Sequence, residues 1–506
     1  MRTDVRRDPL QALTLAAAAA DEPGVPPALG VRLGGVDPLG LRQINFEVMD
    51  RLIPGTNNVT RNLRPFVLVT WAWHRARELA REEGATHVDP GRLRDFVDRM
   101  EVIFAWSQFL TDGGAELPGR NKMKAFVAAT RYKFAGPEWE AFRKAWRTST
   151  SLMAPVNYGP ALKALGFLRA SNVAPSVMVP QEIAAAAVAS FEKKIADRLS
   201  HKAFCSLGPV TVRASEVAGW TEGWDLGSST AAERRMMREA LRGATAPAER
   251  RAVIDLIEAS SVAGEPNDVD ELRRLMCDSE DYADPRLRAS AELWRYLQVR
   301  QLFRLALEGI FDWLTLELRD GPRSSGRLVE AFMRNAPRRS RHDTATEWFR
   351  WRSRIVPQPP VLAARLSDAL ATRDPRKIVP AASDAISFSL TECTYSPAAN
   401  ERPDRLPLAR AQRELDARGA GPASDCIRHI LEKWVLAQHV YWAVGRGLSD
   451  ARAGGKTILR LKVVLDERGW QLTPHAKFGP PRLTGDRLAA LNQLLEQSRA
   501  FRTSSR

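Results

Sequence analysis

Residues 285–318 read PRLRASAELWRYLQVRQLFRLALEGIFDWLTLEL, and this stretch decides the fold. Pro285 suits a first helical turn, where a missing amide costs nothing, and Gly321-Pro322 supply the stop. At 1.5 Å per residue such a helix would be a rod of about 50 Å. Its second half, with Leu302, Phe303, Leu305, Leu307, Ile310, Phe311, Trp313, Leu314 and Leu316, is apolar on several faces, as expected of a helix at the centre of a core.

Helical patterns extend outward in both directions. The run 66–79 is nearly continuous in apolar residues (Phe66 to Val69, Trp71 to Trp73), and 96–110 carries a one-sided stripe, so the two are expected to pack together. A short helix is expected over 161–168 and a strand over 210–213. Thr230 and Glu233 form a capping box that starts a helix over 231–242. Further helices are expected at 361–371, 408–417 and 425–445. Alternation of Leu459, Leu461, Val463 and Leu465 with Arg460, Lys462 and Val464, followed by Trp470 to Leu472, predicts a β-hairpin, and a last helix places Leu488, Leu491, Leu494 and Leu495 on one face. The expected class is mainly α, with multi-helix domains and a small C-terminal element of β-hairpin plus helix. The expected organisation is a flexible tail (1–28), an N-terminal helical domain (29–170), a central helical domain (171–322), a basic segment and proline-rich linker or lid (323–424), and a C-terminal helix, hairpin and helix (425–506).

Composition bounds the class. The 506 residues are 44% apolar and 27% charged, close to the globular average, and suit two to four domains. No 18-residue apolar window predicts a membrane span, and no period of 20 to 50 residues predicts a solenoid. Cys205, Cys277, Cys393 and Cys426 stand at least 33 positions apart, so they form neither close zinc-type pairs nor a disulfide framework, and a reducing, cytoplasmic setting is expected. The N-terminal 20 residues imitate a secretory signal faintly, with Asp4, Asp8 and Gln11 interrupting it. The net charge is +15, which favours polyanions as partners, although an arginine-rich composition without binding gives the same figure.

Residues 54–65 (PGTNNVTRNLRP) lead straight into the first apolar helix. Asn58 and Thr60 supply turn and cap chemistry, and amides in a first helical turn beside Arg61 and Arg64 suit a phosphate or carboxylate. The alternative is a structural turn whose arginines pair with acids such as Glu47 or Asp50. Leu39-Gly40, Pro54-Gly55-Thr56, Thr60-Arg61, Arg64, Phe66 and Trp71 together resemble a family of uncharacterised bacterial proteins, known as a domain of unknown function and often encoded near phage-defence genes. Arg64-Pro65-Phe66 departs from the family's Arg-aromatic-aromatic. The resemblance spans about 50 residues and implies a bacterial component of a multi-protein system; it brings no catalytic residue.

Two basic segments interleave with aromatic residues. Residues 120–147 hold eight Lys or Arg, including Arg131 and Lys133, among Tyr132, Phe134, Trp139, Phe142 and Trp146. Residues 323–354 hold nine Arg, including Arg338, Arg339 and Arg341, with Trp348 and Trp351. Cations for phosphates and rings for exposed bases is the chemistry of single-strand binding. The alternative is an ordinary face with rings inward and cations outward.

Enzyme signatures are sparse. The chain has no G-x-x-x-x-G-K-[ST], G-x-S-x-G or H-E-x-x-H motif. His475-x-Lys477 resembles the start of the phospholipase D-like signature, but Arg482 occupies the acid position. Arg304, Glu308 and Asp312 share a face of the long helix; they are read as a polar stripe ahead of a metal site. Cys426 with His429, and the isolated His74 and His439, are read as core residues. No cofactor and no metal are expected. The resulting expectation is a non-enzymatic, nucleic-acid-associated component of a bacterial multi-protein system, with protein partners from the same gene cluster. A metal-dependent nuclease subunit and a protein-binding scaffold are the alternatives.

Overall fold

A computed structural model of the chain describes residues 37–84, 89–111, 117–261, 268–336, 343–350, 357–391, 403–452, 461–473 and 479–500. The described residues are mainly α, with three two-stranded antiparallel sheets. None of their helices is long and apolar enough to cross a membrane. The chain divides into two compact units, each discontinuous in sequence: Met1–Met49 with Asp270–Thr484, and Asp50–Val269 with Gly485–Arg506.

The first unit is built on the helix Pro285–Glu317, whose side chains from Tyr296 to Thr315 are all buried. Asp284 starts it by accepting from Arg286 N at 2.8 Å, the capping bond that replaces a missing helical partner. Against it pack Pro359–Thr372, Pro375–Thr391 and the turn Ile430–Ala437. That turn is π-helical and joins Ala423–His429 to Gln438–Arg452. Residues 357–391 correct the expectation of a linker. Pro359 and Pro375 open first turns, where no amide is needed, and Ile378, Val379, Ala382, Ile386 and Phe388 bury the second of the two helices. The C-terminal hairpin is present as Val463–Asp466 paired with Gly469–Leu472.

In the second unit Leu63–Glu82 packs on Pro90–Leu110 and on Ala185–Lys194. The run Phe66, Val67, Leu68, Val69, Trp71, Ala72 and Trp73 is wholly buried, as its lack of a polar face predicts. The capping box forms: Glu233 N donates to Thr230 Oγ1 at 3.2 Å and Thr230 N donates to Glu233 Oε2 at 2.8 Å, starting Ala231–Arg242. The strand Val210–Arg213 pairs with Arg131–Phe134, a partner that local pattern does not reveal. The helix Leu488–Ser498 completes this unit.

Candidate functional site

The loop 54–65 is bonded almost throughout. Asn57 Oδ1 accepts from the amides of Val59 (2.9 Å) and Thr60 (3.1 Å), while Thr60 Oγ1 accepts from Asn57 N at 3.1 Å, which fixes an Asx turn. Asn58 donates to Gly485 O at 2.9 Å and accepts from Arg487 N at 2.8 Å. The amide of Leu63, which opens the helix, donates to Gln497 Oε1 at 2.8 Å. Gly55 has φ +85°, and Arg250 Nη1 donates to Pro54 O at 2.6 Å in the space a Cβ would take. The two arginines part company. Arg61 is exposed, whereas Arg64 is buried, donating to Glu233 Oε1 at 2.6 Å and to the carbonyls of Asp225 and Ser228. Arg64 and Thr60 therefore hold the loop, and Asp50 pairs with Arg487 at 2.5 Å rather than with either loop arginine.

In residues 120–147 the rings turn inward. Phe126, Phe134, Trp139 and Trp146 are buried and pack with Tyr132 and Phe142 in one cluster, with Trp139 and Phe142 stacked at 5.9 Å. Base stacking on those four rings is thereby removed, because an aromatic face already covered cannot receive a base. The ribbon cations lie on the other side, whereas Arg143 is buried over Trp139 and pairs with Asp95, Asp98 and Glu140, and Arg147 pairs with Asp98. Period-two alternation in the ribbon puts Phe134, Val210 and Val212 in the interior and Arg131, Lys133, Thr211 and Arg213 in solvent. Arg131 stands directly opposite Arg213, and Lys133 opposite Thr211. Among the described residues none of these three cations forms an ion pair.

For the second basic segment, Arg338, Arg339, Arg341 and Trp351 lie outside the described residues. Trp348 is wholly buried and packs edge to face on Phe349 at 4.7 Å, so it belongs to the interior and cannot serve as a stacking platform. The sequence around Trp348 gives no local sign of this, since a short helix of five residues, Ala345–Phe349, has too few positions to define a face.

The polar stripe of the long helix is real and wholly buried: Arg300, Arg304, Glu308 and Asp312 recur every fourth residue. Glu308 accepts from Arg304 Nη1 at 2.7 Å and from Arg42 Nη2 at 3.1 Å, so two guanidinium groups occupy it and leave no room for a metal cation. Asp312 faces Arg373 at 3.4 Å, and burial raises its carboxyl against the pull of Arg373, Arg319 and Lys462. Beside the stripe the Pro38-Leu39-Gly40 backbone is held carbonyl by carbonyl. His439 Nδ1 bonds Pro38 O at 2.8 Å, Gln438 bonds Leu39 O at 3.0 Å, and Arg405 bonds Gly40 O at 2.7 Å. Gly40 has φ +69°, and a Cβ there would lie 2.5 Å from the Trp442 ring. His439 Nε2 accepts from Lys462 N at 2.9 Å, so both ring nitrogens are used, and burial holds the imidazole down to about 4. It is a neutral structural link.

His74 differs from its expected place in the core. It lies partly exposed, with Nε2 3.0 Å from Glu78 Oε1, and Glu192 completes a group whose ligand atoms lie within 4.8 Å of one another. Arg75 shares the Glu78 carboxylate at 3.6 Å, giving the geometry of a helical surface ion pair. Cys426 is buried, which pushes its thiol up to about 12, and His429 bonds Glu414 at 2.8 Å rather than the thiol.

No family model, curated protein or solved structure matches the chain. The arrangement itself therefore carries the functional argument. Nine arginines and six acids are buried among the described residues, so part of the arginine surplus is interior scaffold bonded to carbonyls, as at Arg250 and Arg99. The exposed ribbon cations are a separate population.

Proposed function

We propose that the protein binds nucleic acid through the phosphate backbone, using the solvent face of the ribbon formed by Arg131–Phe134 and Val210–Arg213. The observation that carries this reading is the cross-strand pair Arg131 and Arg213 with Lys133 beside it. Like charges directly opposite each other on a sheet face repel, and an external polyanion relieves that repulsion. The apolar back of the ribbon sits on the ring cluster, which keeps the basic face in place without calling on its side chains. Arg61, exposed at the loop 54–65, is a further cation on the same unit.

Interactions of this kind position a protein on a backbone without reading bases, so the expected binding is weakly sequence-dependent and strongly salt-dependent. The formal charge of +15 supports the same reading by steering the encounter. The resemblance carried by Leu39-Gly40 and Pro54-Gly55-Thr56 supports a place in a bacterial multi-protein system, phage defence among them. Guanidinium occupancy of Glu308 weighs against a metal-dependent nuclease centred on that residue. The test is fluorescence anisotropy of labelled single- and double-stranded oligonucleotides at two salt concentrations. Binding to neither, or binding unchanged by salt, would sink the proposal.

A further inference from the structure

Buried arginines in this protein differ in how fully they are bonded: Arg99 and Arg304 each leave Nε without a hydrogen bond, and Arg300 leaves two nitrogens. Arg250 gives Nε, Nη1 and Nη2 to the carbonyls of Leu241, Pro54 and Ala240. Arg99 gives both terminal nitrogens to Gly208 O and Ser206 O. Arg64 has a carboxylate and two carbonyls. Arg300 is equally buried, yet it makes one bond, from Nη2 to Arg405 O at 2.9 Å, while Nε and Nη1 have no partner. It is the one arginine among the described residues with two such nitrogens that also lacks an ion pair.

The surrounding acids are already committed. Glu308 is shared by Arg304 and Arg42, Asp37 accepts from the amides of Leu41 and Arg42, and Asp404 faces Arg405 at 3.4 Å. One helical turn along, Arg304 bonds Glu308 and Arg482 O but leaves Nε without a partner. Residues four apart on a helix share a face, with Cβ atoms about 5–6 Å apart, so Arg300 and Arg304 leave the helix side by side. A bare guanidinium in the interior is strongly disfavoured, because the energy of its lost hydration must be recovered from acceptors.

We propose that Arg300 and Arg304 form an interior oxyanion site in the first unit, taking a phosphate group through the unused N–H groups of Arg300 Nε and Nη1 and Arg304 Nε. Guanidinium donors match phosphate oxygens in geometry and charge, and the residual positive charge at Arg300 is what an anion neutralises. The Phe303 ring lies under the Arg300 guanidinium, 5.5 Å from its centroid, and covers one face of it. Burial and the neighbouring Arg304 hold the Arg300 guanidinium down to about 9, against the pull of Asp37, which makes no hydrogen bond to it. The site is independent of the basic ribbon, which belongs to the other unit.

The experiment compares thermal unfolding and calorimetric titration of the full chain, dialysed to equilibrium in inorganic phosphate or in chloride at matched ionic strength and pH. It is run on the natural sequence, on R131A/K133A/R213A and on Arg300→Met. Phosphate should raise the unfolding temperature of the natural sequence and of the ribbon variant, with one phosphate bound per chain, and should leave Arg300→Met unmoved. Arg300→Lys keeps a cation but removes the planar donors, and should weaken phosphate binding about tenfold or more, which preserves the test if the Met variant does not fold. Substituting AMP for phosphate asks whether the group arrives on a nucleotide; a larger shift with AMP assigns a phosphate ester and an equal or smaller one assigns free phosphate. Absence of any phosphate-specific shift in the natural sequence, or its persistence in Arg300→Met, overturns the proposal.

Discussion

Arg64 Nη1 and Glu233 Oε1 lie 2.6 Å apart with both side chains withdrawn from solvent, and the same Glu233 closes the capping box at Thr230. One carboxylate thus joins the start of Ala231–Arg242 to the first turn of Leu63–Glu82. Removing one member of a buried pair strands the other. Arg64→Met should lower unfolding free energy by about 3–5 kcal/mol, and the double variant Arg64→Met/Glu233→Met by less than the sum of the single effects. Urea unfolding followed by tryptophan fluorescence measures both.

Glu101 gives a pH signature. Burial, with Asp98 nearby, raises its carboxyl to about 7, against hydrogen bonds from Ser151 Oγ, Leu152 N and Trp146 Nε1. The folded state therefore keeps a proton that the unfolded chain releases at its ordinary value of 4.5. Stability from this group falls as pH rises from about 4.5 to about 7 and is level above that. Glu101→Gln should remove that slope, gaining about 3 kcal/mol relative to the natural sequence between pH 4.5 and 7.5, on the order of magnitude that such a shift implies. Unfolding curves of both proteins at four pH values read the difference.

At Glu414 the sign reverses. Hydrogen bonds from His429, Trp434 Nε1 (2.7 Å) and Arg410 Nε (2.7 Å) hold its carboxyl down to about 2 despite burial. Its contribution is complete above about 4.5 and is lost as pH falls toward about 2. Glu414→Gln should lower stability at pH 7 and show little further loss from this site on acidification. Acid titration of the circular dichroism signal distinguishes the two proteins.

The ribbon triple variant R131A/K133A/R213A should reduce nucleic-acid affinity by a similar factor across sequences. Its plot of log affinity against log salt should be shallower by about 0.9 for each duplex phosphate that the variant no longer neutralises. A Phe134→Ala variant, by contrast, should act on stability first, since that ring belongs to the cluster beneath the ribbon. Anisotropy titrations and thermal unfolding of the same preparations separate the two effects.

The α character, the central helix, the capping box and the C-terminal hairpin are legible in sequence because each is a local pattern: period, cap residue, stop. The helix 285–318 ends one residue earlier than its periodicity predicts, at Glu317. What sequence leaves open is side-chain direction. Arg61 and Arg64 occupy the same motif three residues apart, and only the placement of Glu233, 169 positions away from Arg64, decides that one turns inward. The basic and aromatic residues of 120–147 are present as read, but which face each takes depends on pairing with Val210–Arg213, a strand some 80 positions later. Prolines at 359 and 375 suggest a linker because a proline at the start of a helix and one in a loop look alike until the core that follows is known, and Pro380 adds to the impression although it lies inside the second helix.

The bonds from Gln493 and Gln497 to Asn62, from Arg487 to Asn58 and from Asn58 to Gly485 connect residues more than 420 positions apart along the chain. During synthesis at roughly 5–20 residues per second, the loop that opens Leu63–Glu82 must wait at least about 20 seconds for the helix that ties it down. The unit made first is thus the one sealed last, and any ribosome that stalls or releases its product before residue 485 leaves a nascent body whose opening loop is without its counterpart.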